Sequence, residues 1–102
     1  MALRTVVLPQ AKQDIRDGAD FYGESDAGAK SRFRKAVVRK IDGLHPYPLK
    51  HREYVPGIHI AIAEPFPFGV FFRIYGEKLV VIAVLDLRQE PERRIRQLLG
   101  RI

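Results

Sequence analysis

Phe66-Pro67-Phe68-Gly69-Val70-Phe71-Phe72-Arg73-Ile74-Tyr75, then Gly76-Glu77, then Lys78-Leu79-Val80-Val81-Ile82-Ala83-Val84-Leu85-Asp86 is the stretch whose reading decides the fold. Pro65 and Pro67 cannot donate to a strand ladder, so they close off what precedes them and a new strand starts at Phe68 and runs to Tyr75. Gly76-Glu77 fits a two-residue hairpin, the glycine supplying the positive φ of a type II′ turn. Lys78 to Asp86 then returns as the most apolar strand of the chain. Its near-continuous apolarity predicts a central strand covered on both faces.

Toward the N-terminus, Ile58, Ile60 and Ile62 alternate with His59, Ala61 and Ala63, the pattern of a half-buried strand that Glu64-Pro65-Phe66-Pro67 interrupts. Three antiparallel strands thus follow one another as a meander. Lys50 to Pro56 reads as a polar connection. Further upstream, Ala29, Phe33, Val37, Ile41 and Leu44 mark one stripe of a helix, with a possible N-cap in Ser25-Asp26-Ala27-Gly28 and a stop at Pro46 and Pro48. Ala11, Ile15, Ala19 and Tyr22 mark another, from Pro9 to about Glu24, with Asp14, Asp17, Asp20 and Glu24 on its polar side and Gly18 weakening it. So few residues join the two helices that they are expected to lie antiparallel, packed together or on the sheet. Leu3 to Leu8 reads as a strand, halted by Pro9, which suits the first position of a helix. Beyond Glu90, the pattern of Arg93, Arg94, Arg96 and Arg101 with Ile95, Leu98 and Leu99 predicts a short tail helix. The sum is an α+β chain: N-terminal strand, helical hairpin, three-stranded meander, C-terminal helix.

The chain has 102 residues, enough for a single domain (1–102), and its 46% hydrophobic content suffices for one core. It has no cysteine, which excludes disulfides, thiolate metal sites and a cysteine nucleophile. His45, His51 and His59 lack the spacing and company of a zinc site, so no metal or cofactor is expected. No signal-peptide pattern and no apolar run near the roughly 20 residues of a membrane span are present, so a cytoplasmic protein without membrane contact is expected. The net charge is +6. Lys30, Arg32, Arg34, Lys35, Arg39 and Lys40 lie within one stretch free of acids, and elsewhere bases and acids balance. Such a patch suits an acidic partner, nucleic acid or a nucleic-acid enzyme, but it also suits exposed pairing with the acids of the first helix.

Several motifs resemble the ParE/RelE superfamily of small bacterial toxins, over nearly the whole chain. Leu8-Pro9-Gln10-Ala11 with Asp14-Ile15 is similar to the family's opening, and Leu44-His45-Pro46 to its helix end. Phe66 to Ile74 resembles the "Phe-Pro-aromatic, apolar run, aromatic-Arg-apolar" strand typical of ParE. Val84-Leu85-Asp86-Leu87-Arg88-Gln89-Glu90-Pro91 is similar to the family's "Val-Leu-His-x-Arg-Arg-Asp-Pro" ending, with Asp86 where His is common and Gln89 where a second Arg is common. The resemblance implies the toxin of a type II toxin–antitoxin pair, a cognate antitoxin as partner, and a toxin–antitoxin hetero-oligomer. RelE-like members cut ribosome-bound mRNA with basic side chains on the middle strands, without metal. Those positions fall near Ile60, Ile62 and Gly69, so the cluster is missing, which favours the ParE branch and inhibition of DNA gyrase by binding. An mRNA endonuclease using Arg73, Arg88 and His59 stays open as an alternative, as does a degenerate homologue that binds antitoxin without toxicity.

For the gyrase reading, the expected target-binding residues are Arg73, Arg88, Tyr75, Arg93 and Arg94. Arg73 shares a strand face with Phe71 and Tyr75; equally, its stem can pack on the sheet while its head pairs with Asp86 or Glu77. Arg88 stands past the central strand, where either an exposed functional group or a solvated loop cation belongs. For His59 the plainer reading is a satisfied strand histidine. The expected antitoxin-binding residues are Ile15, Tyr22, Phe33, Val37 and Arg34, around an apolar groove between the helices and a sheet edge that would receive a helix or an added strand.

Overall fold

The computed structural model describes residues 3–102. The N-terminal strand β1 (Arg4–Val7) runs into α1 (Pro9–Gly23), and α2 (Ala27–Asp42) follows. A single 3-10 turn, Pro48–Lys50, leads to β2 (Glu53–Val55), β3 (Ile58–Ile62), β4 (Phe68–Tyr75), β5 (Lys78–Asp86) and α3 (Pro91–Leu99). Pro9 opens α1 as expected, with Leu8 in extended conformation and no side-chain cap. Asp26 caps α2 by accepting a 2.9 Å hydrogen bond from the Gly28 amide. Arg39 and Lys40 stand in the last turn of α2, where they complement its dipole.

The strands form one sheet in the order β1-β5-β4-β3-β2, in which β1 is parallel to β5 and all other pairs are antiparallel. The expected meander is β3-β4-β5, and Gly76 turns its last hairpin with φ 61° while Glu77 keeps a negative φ, as a type II′ turn requires. The sheet extends further than the meander. The polar connection Lys50 to Pro56 holds β2, a three-residue edge strand too short to carry an alternation. Parallel pairing of β1 makes β5 a central strand, which accounts for its apolarity.

Two cores result, one on each face. Toward the helices, Phe68, Val70, Phe72, Ala61, Ala63, Leu79, Val81 and Val84 meet Ala11, Ala19, Phe33, Val37, Ile41 and Leu44. On the opposite face, Ile58, Ile60, Phe71, Ile82, Ala83 and Leu85 meet Leu98 of α3. β3 therefore has buried residues on both faces, beyond the half-buried strand its alternation predicts. Phe71 pairs with Ala83 but Phe72 with Val81, so Ile82 is an extra residue in β5. This bulge turns both Ile82 and Ala83 toward α3 and returns Val84 to the helices.

Candidate functional site

His59 and Arg73 come from neighbouring strands but opposite faces. His59 stacks on Phe72 at 5.5 Å, on the helix side, and its Nδ1 donates to the His51 carbonyl at 2.8 Å. That bond fixes the tautomer and makes it the satisfied strand histidine. Arg73, next to Phe72, faces the other way, its Cζ 5.4 Å from the ring centre of the exposed Tyr75. It pairs with neither Asp86 nor Glu77 among the described residues, and its buried Nε has no hydrogen-bond partner.

Arg88 is exposed but held. Its Nε and Nη2 donate to the two oxygens of Asp86 at 2.9 and 2.8 Å, and its Cζ lies 5.8 Å from the ring centre of Phe21. The bidentate bond from Arg88 holds the Asp86 carboxyl below its usual range against the opposing effect of burial. Asp86, where the resemblance leads one to expect His, thus serves as a clamp on Arg88. His59, Arg73 and Arg88 thus do not converge. The middle-strand positions near which the nuclease branch carries cations, Ile60, Ile62 and Gly69, belong to the α3-side core or border it: a Cβ on Gly69 would stand 2.9 Å from Ile60 Cδ1.

Arg93 is exposed on α3, whereas Arg94 is buried. Its guanidinium donates to the Leu87 carbonyl at 2.9 Å, to Tyr54 Oη at 3.2 Å, and to the Gln89 carbonyl. Arg94, expected at the target surface, is turned inward, and its donors tie α3 to β2 and to the end of β5. The residues expected around an antitoxin groove lie mostly inside the core. Phe33 and Val37 are fully buried, and Ile15 and Tyr22 pack against the same core, so the helical hairpin already fills the space where a groove was expected. Arg34 alone of that set is exposed, beside Val38, which is 52% exposed on the outer side of α2. Of the pairing expected between the acids of α1 and the bases of α2, only Lys30–Asp20, at 3.1 Å, forms among the described residues.

One half-buried pair is not marked in the sequence. Asp14 accepts from Arg101 Nη1 at 2.5 Å and Nη2 at 3.1 Å, and from the Val84 amide at 3.0 Å. The spacing of Asp14 shows only a polar helix side, and nothing in it points to a residue 87 positions away.

A mixed five-stranded sheet between a helical hairpin and a short helix, with Arg73 and Arg88 apart from each other and from His59, defines a small basic α+β fold. The family model for the ParE toxin of type II toxin-antitoxin system, parDE, matches residues 6–91. The chain belongs to that toxin family. Among solved structures it is similar to a chain of the chromosomal ParDE TA system from P. aeruginosa, with a TM-score of 0.74 at 18% identity, covering 83% of this chain and 96% of that one. At that identity the likeness establishes the fold. No curated protein matches the chain.

Proposed function

We propose that this ParE-family toxin arrests DNA gyrase by binding to it in the cytoplasm, and that a cognate antitoxin neutralises it in a hetero-oligomer. The observation that carries the reading is the separation of His59, Arg73 and Arg88, together with the apolar occupation of the middle-strand positions. Cleavage of RNA through the 2′-hydroxyl needs donors converging on the charge that develops at the phosphate. Two cations and a histidine on different surfaces do not supply that. Arg73 with Tyr75, Arg88 and Arg93 are exposed or partly exposed, and they are the residues we assign to the target. For the antitoxin we assign the outer face of α2 at Arg34 and Val38, with the core residues Phe33 and Val37, and Ile15 and Tyr22 of α1, acting only as the packing that holds that helix in place.

The folded protein is expected to inhibit gyrase supercoiling, and Arg73→Ala/Tyr75→Ala to weaken inhibition about tenfold, equivalent to about 1.4 kcal/mol. Undiminished supercoiling at large excess over the enzyme sinks the proposal. Codon-phased cuts in cellular mRNA, mapped by primer extension after induction and absent in Arg88→Ala, would transfer the assignment to the endonuclease alternative.

A further inference from the structure

The cations of this protein fall into two groups. Lys30, Arg32, Arg88 and Arg101 each hold a carboxylate, at 3.1, 2.7, 2.8 and 2.5 Å. Arg39, Lys40 and Lys50 form no such pair among the described residues. They nevertheless stand together: with His51 they line a cavity of about 290 Å³ between the last turn of α2 and the 3-10 turn, with Glu64 as its single acid. The small residues Ala36 and Gly43 form the rest of its wall.

The dipole of α2 accounts for Arg39 and Lys40 in its last turn. It does not account for Lys50 and His51, which a separate segment delivers after Pro46 and Pro48. One acid against three cations leaves the cavity positive. His51 registers that field: burial first, then Lys50, Lys40 and His59, disfavour its protonation. The charge also continues outward, because Arg39 borders an adjacent cleft with Lys35 and Arg32. Arg32, Lys35 and Arg39 recur at helical spacing over about 10 Å of α2. Projected on the axis of a duplex, that length is about three base-pair rises of about 3.4 Å.

We propose that this cavity binds a phosphate group, carried either by a nucleic-acid backbone running along α2 or by a free phosphate or nucleotide. An acidic peptide is the weaker fit, because peptide ligands gain affinity and register from apolar anchors and the cavity offers no apolar side chain larger than Ala36. The site lies apart from Arg73, Tyr75 and Arg88, and its occupancy is measured without gyrase.

The test uses the full chain, a fluorescent 20-base-pair duplex read by anisotropy, inorganic phosphate read by NMR at the His51 ring, and a glutamate-rich peptide as competitor. Arg39→Ala/Lys40→Ala/Lys50→Ala is compared with Lys12→Ala/Arg16→Ala/Arg96→Ala, which removes the same charge at exposed positions elsewhere. Thermal melts confirm that both fold. The cavity variant is expected to bind duplex at least about tenfold more weakly and to lower the slope of log K on log salt by about 1–2, at about 0.9 per phosphate, for the phosphate in the cavity and the one Arg39 reaches beside it; the control should stay within about threefold. Phosphate should shift the His51 resonances saturably and raise its pKa in the wild type and not in the cavity variant. A phosphate response without duplex binding identifies a small ligand as the source and upholds the site. Equal losses in both variants reduce the effect to net charge and overturn the proposal. So does silence of His51 toward both phosphate and duplex, or peptide binding as tight as duplex.

Discussion

A methyl group on Gly18 would meet the Phe33 ring at 2.5 Å from Cζ and 2.8 Å from Cε2. That ring cannot step aside, because Tyr22, Phe66 and Phe68 pack around it with centroids 4.8–5.4 Å away. Gly18→Ala would gain up to about 1 kcal/mol of helix propensity and lose about 1–3 kcal/mol to overpacking. We expect a net loss of up to about 2 kcal/mol in urea unfolding; a stabilised variant would mean the aromatic cluster is looser than its geometry indicates. Read as a letter in a helix, Gly18 is a weakness, since the ring that requires it is fifteen positions away. Asp86 poses the same difficulty, because Asp-x-Arg does not announce a bidentate clamp. Its carboxyl is held below the ordinary value of 3.8, chiefly by the Arg88 side chain. A carboxyl depressed in the folded state contributes stability that is complete above its unfolded pKa and disappears as pH falls through the folded one. Unfolding titrations should therefore show part of the acid destabilisation below about pH 3.8 vanishing in Asp86→Asn; an unchanged profile would dismiss the clamp as a stabilising contact.

At the scale of elements, β1 is shorter than the strand it pairs with. The register ends at Val7 and Val81, and the Leu8 amide gives the last bond to the Val81 carbonyl before Pro9 turns the chain away. The rest of that β5 edge would be bare, and buried backbone groups left unpaired are costly. Side chains replace the missing strand. Asp14 of α1 takes the Val84 amide, and Arg101 gives to the Ile82 carbonyl at 3.2 Å while paired with Asp14. The sequence made the short strand legible, through Pro9, and the helix after it, but not this substitution, which joins three elements by polar groups that no periodicity marks. Asp14→Ala removes the acceptor and strands a largely buried guanidinium. Breaking a buried pair costs about 3–5 kcal/mol, and because both side chains keep slight solvent contact we expect about 2–4 kcal/mol in urea unfolding. Arg101→Ala should cost less, since Asp14 keeps the Val84 amide. Equal or negligible losses would remove the pair from the account of how the edge is closed.

For the molecule as a whole, what the sequence conveyed was the hydrophobic framework. The periods of Ala11 to Tyr22, Ala29 to Leu44 and Ile58 to Ile62 locate elements because burial repeats with the backbone, and the apolarity of Lys78 to Asp86 locates the middle of the sheet. Interaction sites carry no such period: Phe33 and Val37 look available for a partner until the sheet is placed over them, and Lys50-His51 looks like a loop until α2 ends beside it. The same framework predicts how stability is distributed. β5 and β4 have neighbours on both edges and buried side chains on both faces, while β2 is a three-residue edge strand with only one partner. Regions with few buried contacts open locally, and those enclosed by both cores open only with global unfolding. Amides of Val70, Phe72 and Val81 should therefore exchange hydrogen at the free energy of global unfolding, and those of β2 several orders of magnitude faster. The Val84 amide is the informative probe, because its acceptor is the Asp14 carboxylate in place of a strand carbonyl. In the wild type it should be as slow as its neighbours in β5, and in Asp14→Ala it should quicken by more than they do. Uniform acceleration along β5 would instead mean that the edge opens only when the whole sheet does, and that the carboxylate adds stability without guarding that amide.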